Sequence, residues 1–283
     1  MDELNILERI HASYYQLPAA ERRVADYVLA QYDQVQFMSI TQLAEECGAA
    51  DATVSRFCRN LQLKGFNAFK LEIAKYIAAN STGTLRDQPV PTNSSESRFL
   101  EVGRTSQAAI TQTISLLRQA DVDRAVSLFE SASRIHCMGA GGSMLLASEC
   151  AHLFSTVCNK FSAVWDSHIQ MSMTATMPET DVIVLFSYSG ATRSGMEVLE
   201  LAKSRGVRTV LITRYPKSPA AKFADVVLCC GSSESPLQFG SVPAKVAQLV
   251  LLDALFQEYL HRNRESADES LQRIAAALSE KHL

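Results

Sequence analysis

Residues 182–204 read VIVLFSYSGATRSGMEVLELAKS, and the order of residue types in this stretch decides the class of fold. Five consecutive apolar residues, Val182 to Phe186, leave no polar face, which is the pattern of a strand buried on both sides. Hydroxyls and a glycine follow at Ser187, Ser189, Gly190 and Thr192, and a helix over Arg193–Ser204 comes next. The same grammar recurs upstream, where an apolar strand at Ile135–Met138 runs into Gly139-Ala140-Gly141-Gly142-Ser143 and then a helix over Met144–Val157. Further strands are expected at Thr209–Ile212 and Val226–Cys230, with a weaker one at Phe161–Val164. Strands alternating with helices predict a parallel sheet covered by helices on both faces. Helices over about Arg98–Gln119 and Val122–Phe129 lead into this region, and two more, Val242–His261 and Ala267–Lys281, close it.

The two loops carry the chemistry. Glycines let the backbone approach an anion closely, and a helix that starts at such a loop presents N–H groups and the positive end of its dipole. Two loops of this kind, lying side by side at strand C-termini, form a cradle of neutral donors suited to a phosphate monoester. The lysine of a nucleotide-binding P-loop is missing from the first loop, and the residues after it do not make the ribose side of a dinucleotide site, so ATP and NAD are disfavoured.

The N-terminal part reads differently. Residues 1–80 are a run of short helices with apolar residues three or four apart, among them Leu4, Leu7 and Ile10, then Val24, Val28 and Tyr32. Residues 81–97, STGTLRDQPVPTNSSES, are rich in Ser, Thr and Pro and read as a linker to the α/β domain at 98–283. Within the helical part, Ser39–Cys47 opens with an N-cap and aligns Ile40, Leu43, Ala44 and Cys47 on one face. Gly48 supplies a turn, and Ala49–Leu61 then buries Val54, Phe57, Cys58 and Leu61 while leaving Asp51, Thr53, Ser55, Arg56 and Arg59 outward. Helix, glycine turn and second helix form a helix-turn-helix, whose second helix reads DNA in the major groove. Charge agrees with this: the whole chain carries a net −3, yet from Ala52 to Thr82 Arg56, Arg59, Lys64, Lys70 and Lys75 face the single anion Glu72. DNA contact must come from this local patch and not from bulk charge.

The segment GAADATVSRFCRNLQLKGFNAFKLEI resembles the signature of RpiR-family regulators at Gly48, Thr53, Val54, Arg56, Phe57, Gly65 and Phe66. It departs from that pattern twice. Ala50 stands where a capping serine is usual, a role Asp51 is expected to take over, and Gln62 stands where a glycine commonly ends the reading helix. The two Ser/Thr/Gly loops, with Ile212-Thr213 and Ser218-Pro219, look like a SIS (sugar isomerase) domain over about Ser133–Leu260, which implies a flavodoxin-like sheet and a phosphosugar pocket. The resemblance implies that Gly141, Ser143, Ser187, Ser189, Gly190 and Thr192 hold the phosphate, with His168 and Lys245 toward the sugar and Glu234 a looser candidate for a sugar hydroxyl.

Together these readings predict a transcription regulator whose Asp51, Thr53, Ser55, Arg56, Arg59 and Lys64 meet a double-stranded operator and whose α/β domain binds a sugar phosphate. Such regulators resemble homodimers or dimers of dimers on inverted repeats. The alternative is an isomerase using His168 or Glu234 as a base. Neither a metal nor a cofactor is expected, because the seven cysteines are scattered without ligand spacing and read as reduced, buried hydrophobes. With no secretory leader pattern and no span of roughly 20 apolar residues, a cytoplasmic location is expected.

Overall fold

The computed structural model describes residues 5–80, 98–231 and 241–279, so the expected linker and Glu234 lie outside the described residues. The chain divides into two compact units.

The described residues of the first unit form α1 (Ile6–Ser13), α2 (Ala19–Val35), α3 (Ile40–Glu46), α4 (Asp51–Asn60) and α5 (Phe66–Asn80), with a 3-10 turn at Tyr14–Gln16 after α1. Capping boxes open α1, between Asn5 and Glu8, and α3, between Ser39 and Gln42, and each satisfies backbone N–H groups that a helix start leaves unpaired. Ile10, Val24, Val28, Leu43, Phe57 and Phe69 fill the core, Phe57 meeting Phe69 edge to face at 5.6 Å. The buried face of α1 is Ile6 and Ile10, whereas Leu7 is only half-buried, one position from the stripe the spacing predicted.

The α3–α4 turn explains its glycine. Gly48 has φ +57°, its N–H donates to Glu45 O at 3.0 Å, and Ala49 N–H donates to Ala44 O at 2.8 Å, so the last carbonyls of α3 are satisfied by a left-handed cap. Arg23 of α2 holds the same turn from outside, donating to Cys47 O at 3.1 Å and Gly48 O at 2.8 Å. The end of α4 has identical wiring, Gln62 N–H to Arg59 O at 2.8 Å and Leu63 N–H to Cys58 O at 3.0 Å, but Gln62 itself occupies the left-handed region at φ +63°. A side chain there costs roughly 1–2 kcal/mol, part of which glycine would return as extra freedom in the unfolded chain. Gln62→Gly is therefore expected to stabilise the first unit by about 0.5–1 kcal/mol, read as a rise in the urea midpoint with unchanged slope; a lower midpoint would count against this account of the cap.

The second unit is a five-stranded parallel sheet in the order β2-β1-β3-β4-β5, made of β1 (Ile135–Gly139), β2 (Phe161–Val164), β3 (Val182–Phe186), β4 (Arg208–Thr213) and β5 (Val226–Cys229). Its helices are α6 (Arg98–Leu116), α7 (Gln119–Ser131), α8 (Ser143–Ser155), α9 (Ser167–Thr176), α10 (Arg193–Ser204), α11 (Val242–Arg262) and α12 (Arg264–Ser279). Side-chain alternation sorts the strands between two cores. Val182, Val184 and Phe186 join α7, α8 and α11 on one face, whereas Ile183 and Leu185 join α9 and α10 on the other. Both faces are covered, which is why these strands read as unbroken apolar runs.

Five cysteines are buried, and Cys158 and Cys229 are half-buried. Burial pushes the Cys58 thiol up to about 12, which keeps it protonated and unreactive near neutrality. Among the described residues no helix is long and apolar enough to cross a membrane.

Candidate functional site

Strands β1 and β3 are neighbours in the sheet, and the chain order reverses between them because β2 lies on the far side of β1. In open α/β sheets the crevice beyond the strand C-termini at such a point is where ligands bind. The two Gly/Ser loops meet there, and the narrow crevice between them, of about 20 Å³, is lined by Gly139, Ala140, Ser143, Gln170, Ser187 and Thr192 among others.

The first loop turns back so tightly that a Cβ at Gly139 would stand 3.0 Å from both the carbonyl carbon and oxygen of Ser143. Gly141 follows at φ +54°, and Ser143 is the first residue of α8. The second loop is pinned by its own backbone: Ser187 N–H donates to Ile212 O at 3.0 Å, Gly190 N–H at φ +57° donates to Ser187 O at 3.0 Å, and Tyr188 O accepts from Arg214 N–H at 2.9 Å. Ser189 Oγ is occupied in accepting from Ala191 N–H at 3.2 Å. Thr192 is the N-cap of α10, yet its side chain makes no capping bond.

Ser187 stands apart from these. It is 5% exposed, and its Oγ has no hydrogen-bond partner among the described residues. A buried hydroxyl left unpaired costs about 1–3 kcal/mol, and this one lines the crevice. Ser218, in the loop after β4, likewise has a fully buried hydroxyl with no partner.

Of the residues expected to hold a phosphosugar, the structure thus brings Ser143, Ser187 and Thr192 to one crevice, while Gly141, Ser189 and Gly190 shape its loops. Lys245 reaches the first loop, its Cε lying 3.8 Å from where a Cβ on Gly142 would be. His168 does not line the crevice; it is an exposed residue at the start of α9, its N–H accepted by Asp166 Oδ1 at 2.9 Å. Asp166 is the cap of that helix. Gln170, one turn further along α9, is a lining residue that sequence reasoning missed; no motif marks it.

In the first unit α4 buries Val54, Phe57 and Cys58 and exposes Arg56 and Arg59, with Lys64 exposed beyond its end. Two expectations are corrected. Thr53 does not face outward: it is 6% exposed, on the same stripe as Phe57 and Val54, and its hydroxyl accepts from Arg56 Nη2 at 3.3 Å. Asp51 does not replace the missing cap serine: Ala50 is the N-cap and gives no side-chain bond, and Asp51 is the first helical residue, its carboxylate accepting from Thr41 Oγ1 at 3.0 Å. Ser55 is half-buried. Arg56 is anchored at its base, since its Nε lies 3.7 Å from Glu21 of α2, a carboxylate 3% exposed that also accepts from Asn60 Nδ2 at 2.7 Å. That pairing was invisible in sequence, the partners being thirty-five or more positions apart.

Comparison with known proteins agrees with both halves. Residues 4–80 match the helix-turn-helix domain of the rpiR family, and residues 128–257 match the SIS domain. The regulator HexR of Pseudomonas aeruginosa is 29% identical over 276 residues, 93% of this chain and 95% of that protein. In three dimensions the chain is similar to the NanR protein of Vibrio vulnificus complexed with ManNAc-6P, at a TM-score of 0.88 and 24% identity, covering 99% of this chain and 100% of that one. The sugar isomerase domain of an RpiR transcription factor from Sphaerobacter thermophilus is similar at a TM-score of 0.58 and 21% identity, over 62% of this chain and 97% of that one.

Proposed function

We propose, since residues 4–80 match the helix-turn-helix domain of the rpiR family and residues 128–257 the SIS domain, that the chain is a DNA-binding transcription regulator whose operator affinity is set by a sugar phosphate held between the loops at Gly139–Ser143 and Ser187–Thr192. The observation that carries the effector half is the Ser187 hydroxyl, buried and unpartnered in a crevice whose other walls offer further hydroxyls and two helix starts. Phosphate oxygens suit that donor set, and the reach of Lys245 over the first loop adds a positive charge. The DNA half rests on α4, with Arg56, Arg59 and Lys64 exposed on one unit of the chain.

The family reading carries further expectations. The regulator works in the cytoplasm as a homodimer or dimer of dimers, on half-sites one helical turn or a multiple apart. The effector acts by preferring one arrangement of the α/β domains, and a coupling of only about 1–3 kcal/mol changes operator affinity five- to 150-fold. An isomerase would need a base set against the Ser/Thr loops, and His168, one of the two residues weighed for that role, does not line the crevice.

Thermal unfolding in the presence of sugar phosphates and their unphosphorylated counterparts tests this. A ligand at about 100 times its Kd should add about 2.7 kcal/mol to the stability of the second unit, and only phosphorylated sugars should do so. The same compound should then shift operator affinity and emerge chemically unchanged. A panel flat for every phosphate would leave only the DNA-binding half standing.

A further inference from the structure

Gln170 is 2% exposed, and its side-chain amide nitrogen lies 2.9 Å from Gly139 O and 2.7 Å from Val164 O. Those carbonyls belong to the last residues of β1 and β2. Both contacts are to acceptors that cannot donate, so the orientation of the amide is fixed: the NH2 end must face the two carbonyls and spends both its hydrogens on them. The Oε1 end is thereby turned away from the strand ends, and the side chain lines the same crevice as Ser143, Ser187 and Thr192.

The loops around Gln170 supply donors: hydroxyls, backbone N–H groups and helix starts. A phosphate uses donors, but the sugar attached to it brings hydroxyl or amide hydrogens that need acceptors. A carboxylate in this place would repel the phosphate beside it and would have nothing to give Gly139 O and Val164 O. A neutral amide satisfies both demands, donating to the loop with one end and accepting from the guest with the other.

Resting on the effector reading above, we infer that Gln170 is a specificity-determining residue of the crevice, its Oε1 accepting a hydrogen bond from a hydroxyl or amide N–H of the bound sugar phosphate while its nitrogen positions the phosphate loop. This separates two classes of ligand. Those that offer only phosphate oxygens gain nothing from Oε1, and those that add a donor close to the phosphate do.

The test compares inorganic phosphate with glucose 6-phosphate, glucosamine 6-phosphate and N-acetylmannosamine 6-phosphate by calorimetric titration of the full chain and of Gln170→Met. The wild type should bind at least one sugar phosphate more tightly than phosphate itself, and the variant should lose ten-fold or more for that sugar phosphate but less than three-fold for phosphate. Parallel losses for both would reduce Gln170 to a support of the loop and overturn the inference while leaving the effector reading intact. Undiminished binding of the sugar phosphate would overturn it too. Should Gln170→Met fail to fold, the side-chain amide resonance of Gln170 in the wild type decides instead: it should move with the sugar phosphate and not with phosphate, and equal movement with both sinks the assignment. A wild type that binds none of the three sugars would overturn the effector reading, and this inference with it.

Discussion

Ser187→Ala is expected to leave the unliganded protein as stable as before or more stable by about 1 kcal/mol, while weakening sugar-phosphate binding about 10- to 100-fold. The two effects have opposite signs for one reason. The Oγ of Ser187 is buried and unpartnered, so its desolvation is a standing cost in the free protein, and removing it relieves that cost. Against a phosphate the same hydroxyl makes a hydrogen bond to a charged acceptor, worth about 1.5–3 kcal/mol, and the alanine loses it. Binding lost through a damaged fold would come with lower stability, so a variant that is more stable but deaf to ligand points to a donor reserved for a guest. Ser189→Ala should behave otherwise, since its Oγ accepts from Ala191 N–H at 3.2 Å, and its loss should loosen the loop without relieving any buried cost. Urea unfolding of the free protein and titration with the effector measure the two quantities separately. Full retention of affinity in Ser187→Ala would remove this hydroxyl from the phosphate site.

How much of this was legible in the sequence follows from the range of each interaction. The strands were readable almost to the residue because burial on both faces leaves no polar alternation: β2 and β3 fall at the expected bounds, and β4 is longer only by Arg208 and Thr213 at its ends. The two Gly/Ser loops were readable because glycine and serine at a strand end are constrained locally, as the close approach at Gly139 illustrates. The turn of the helix-turn-helix was equally local, and Gln62 took up the left-handed conformation that its position demands even without glycine. What sequence could not show are side chains whose meaning depends on distant partners. Gln170 is a lone amide in an unremarkable helix until Gly139 O and Val164 O, from separate strands, converge on its nitrogen. Glu21 reads as one acid in an acidic segment until Asn60 and Arg56 are folded over it. Thr53, expected to face outward from the helix spacing, is buried because the packing stripe through Phe57 is wide enough to take it in.

Arg56→Ala is expected to lower operator affinity about 10- to 100-fold while leaving sugar-phosphate binding unchanged. The size follows from one guanidinium contact to a base edge, about 1–3 kcal/mol. Two features of the fold make Arg56 the best-placed cation of the reading helix. Its base is oriented by the Glu21 carboxylate at 3.7 Å and by Thr53 Oγ1 at 3.3 Å, so less side-chain freedom is lost on meeting DNA than for a cation with no such support. Its side chain is nonetheless 61% exposed, which leaves the guanidinium able to reach a groove. Glu21 keeps its hydrogen bond from Asn60 at 2.7 Å in the variant, but this carboxylate is 3% exposed and loses its cationic neighbour, so Arg56→Ala is expected to cost some stability. A cooperative urea transition of the variant, measured alongside, separates lost DNA contact from lost structure. Repeating the titration over a range of salt tells which contact was removed: an unchanged slope with relaxed sequence preference marks a base edge, whereas a slope smaller by about one with uniform weakening marks a phosphate. Glu21→Gln, which keeps an acceptor for Asn60 but removes the charge that aims Arg56, should fall between the wild type and Arg56→Ala. Operator affinity unchanged in Arg56→Ala would take this arginine out of the interface and shift the reading of DNA to Arg59 and Lys64, the remaining exposed cations of the set singled out in the sequence.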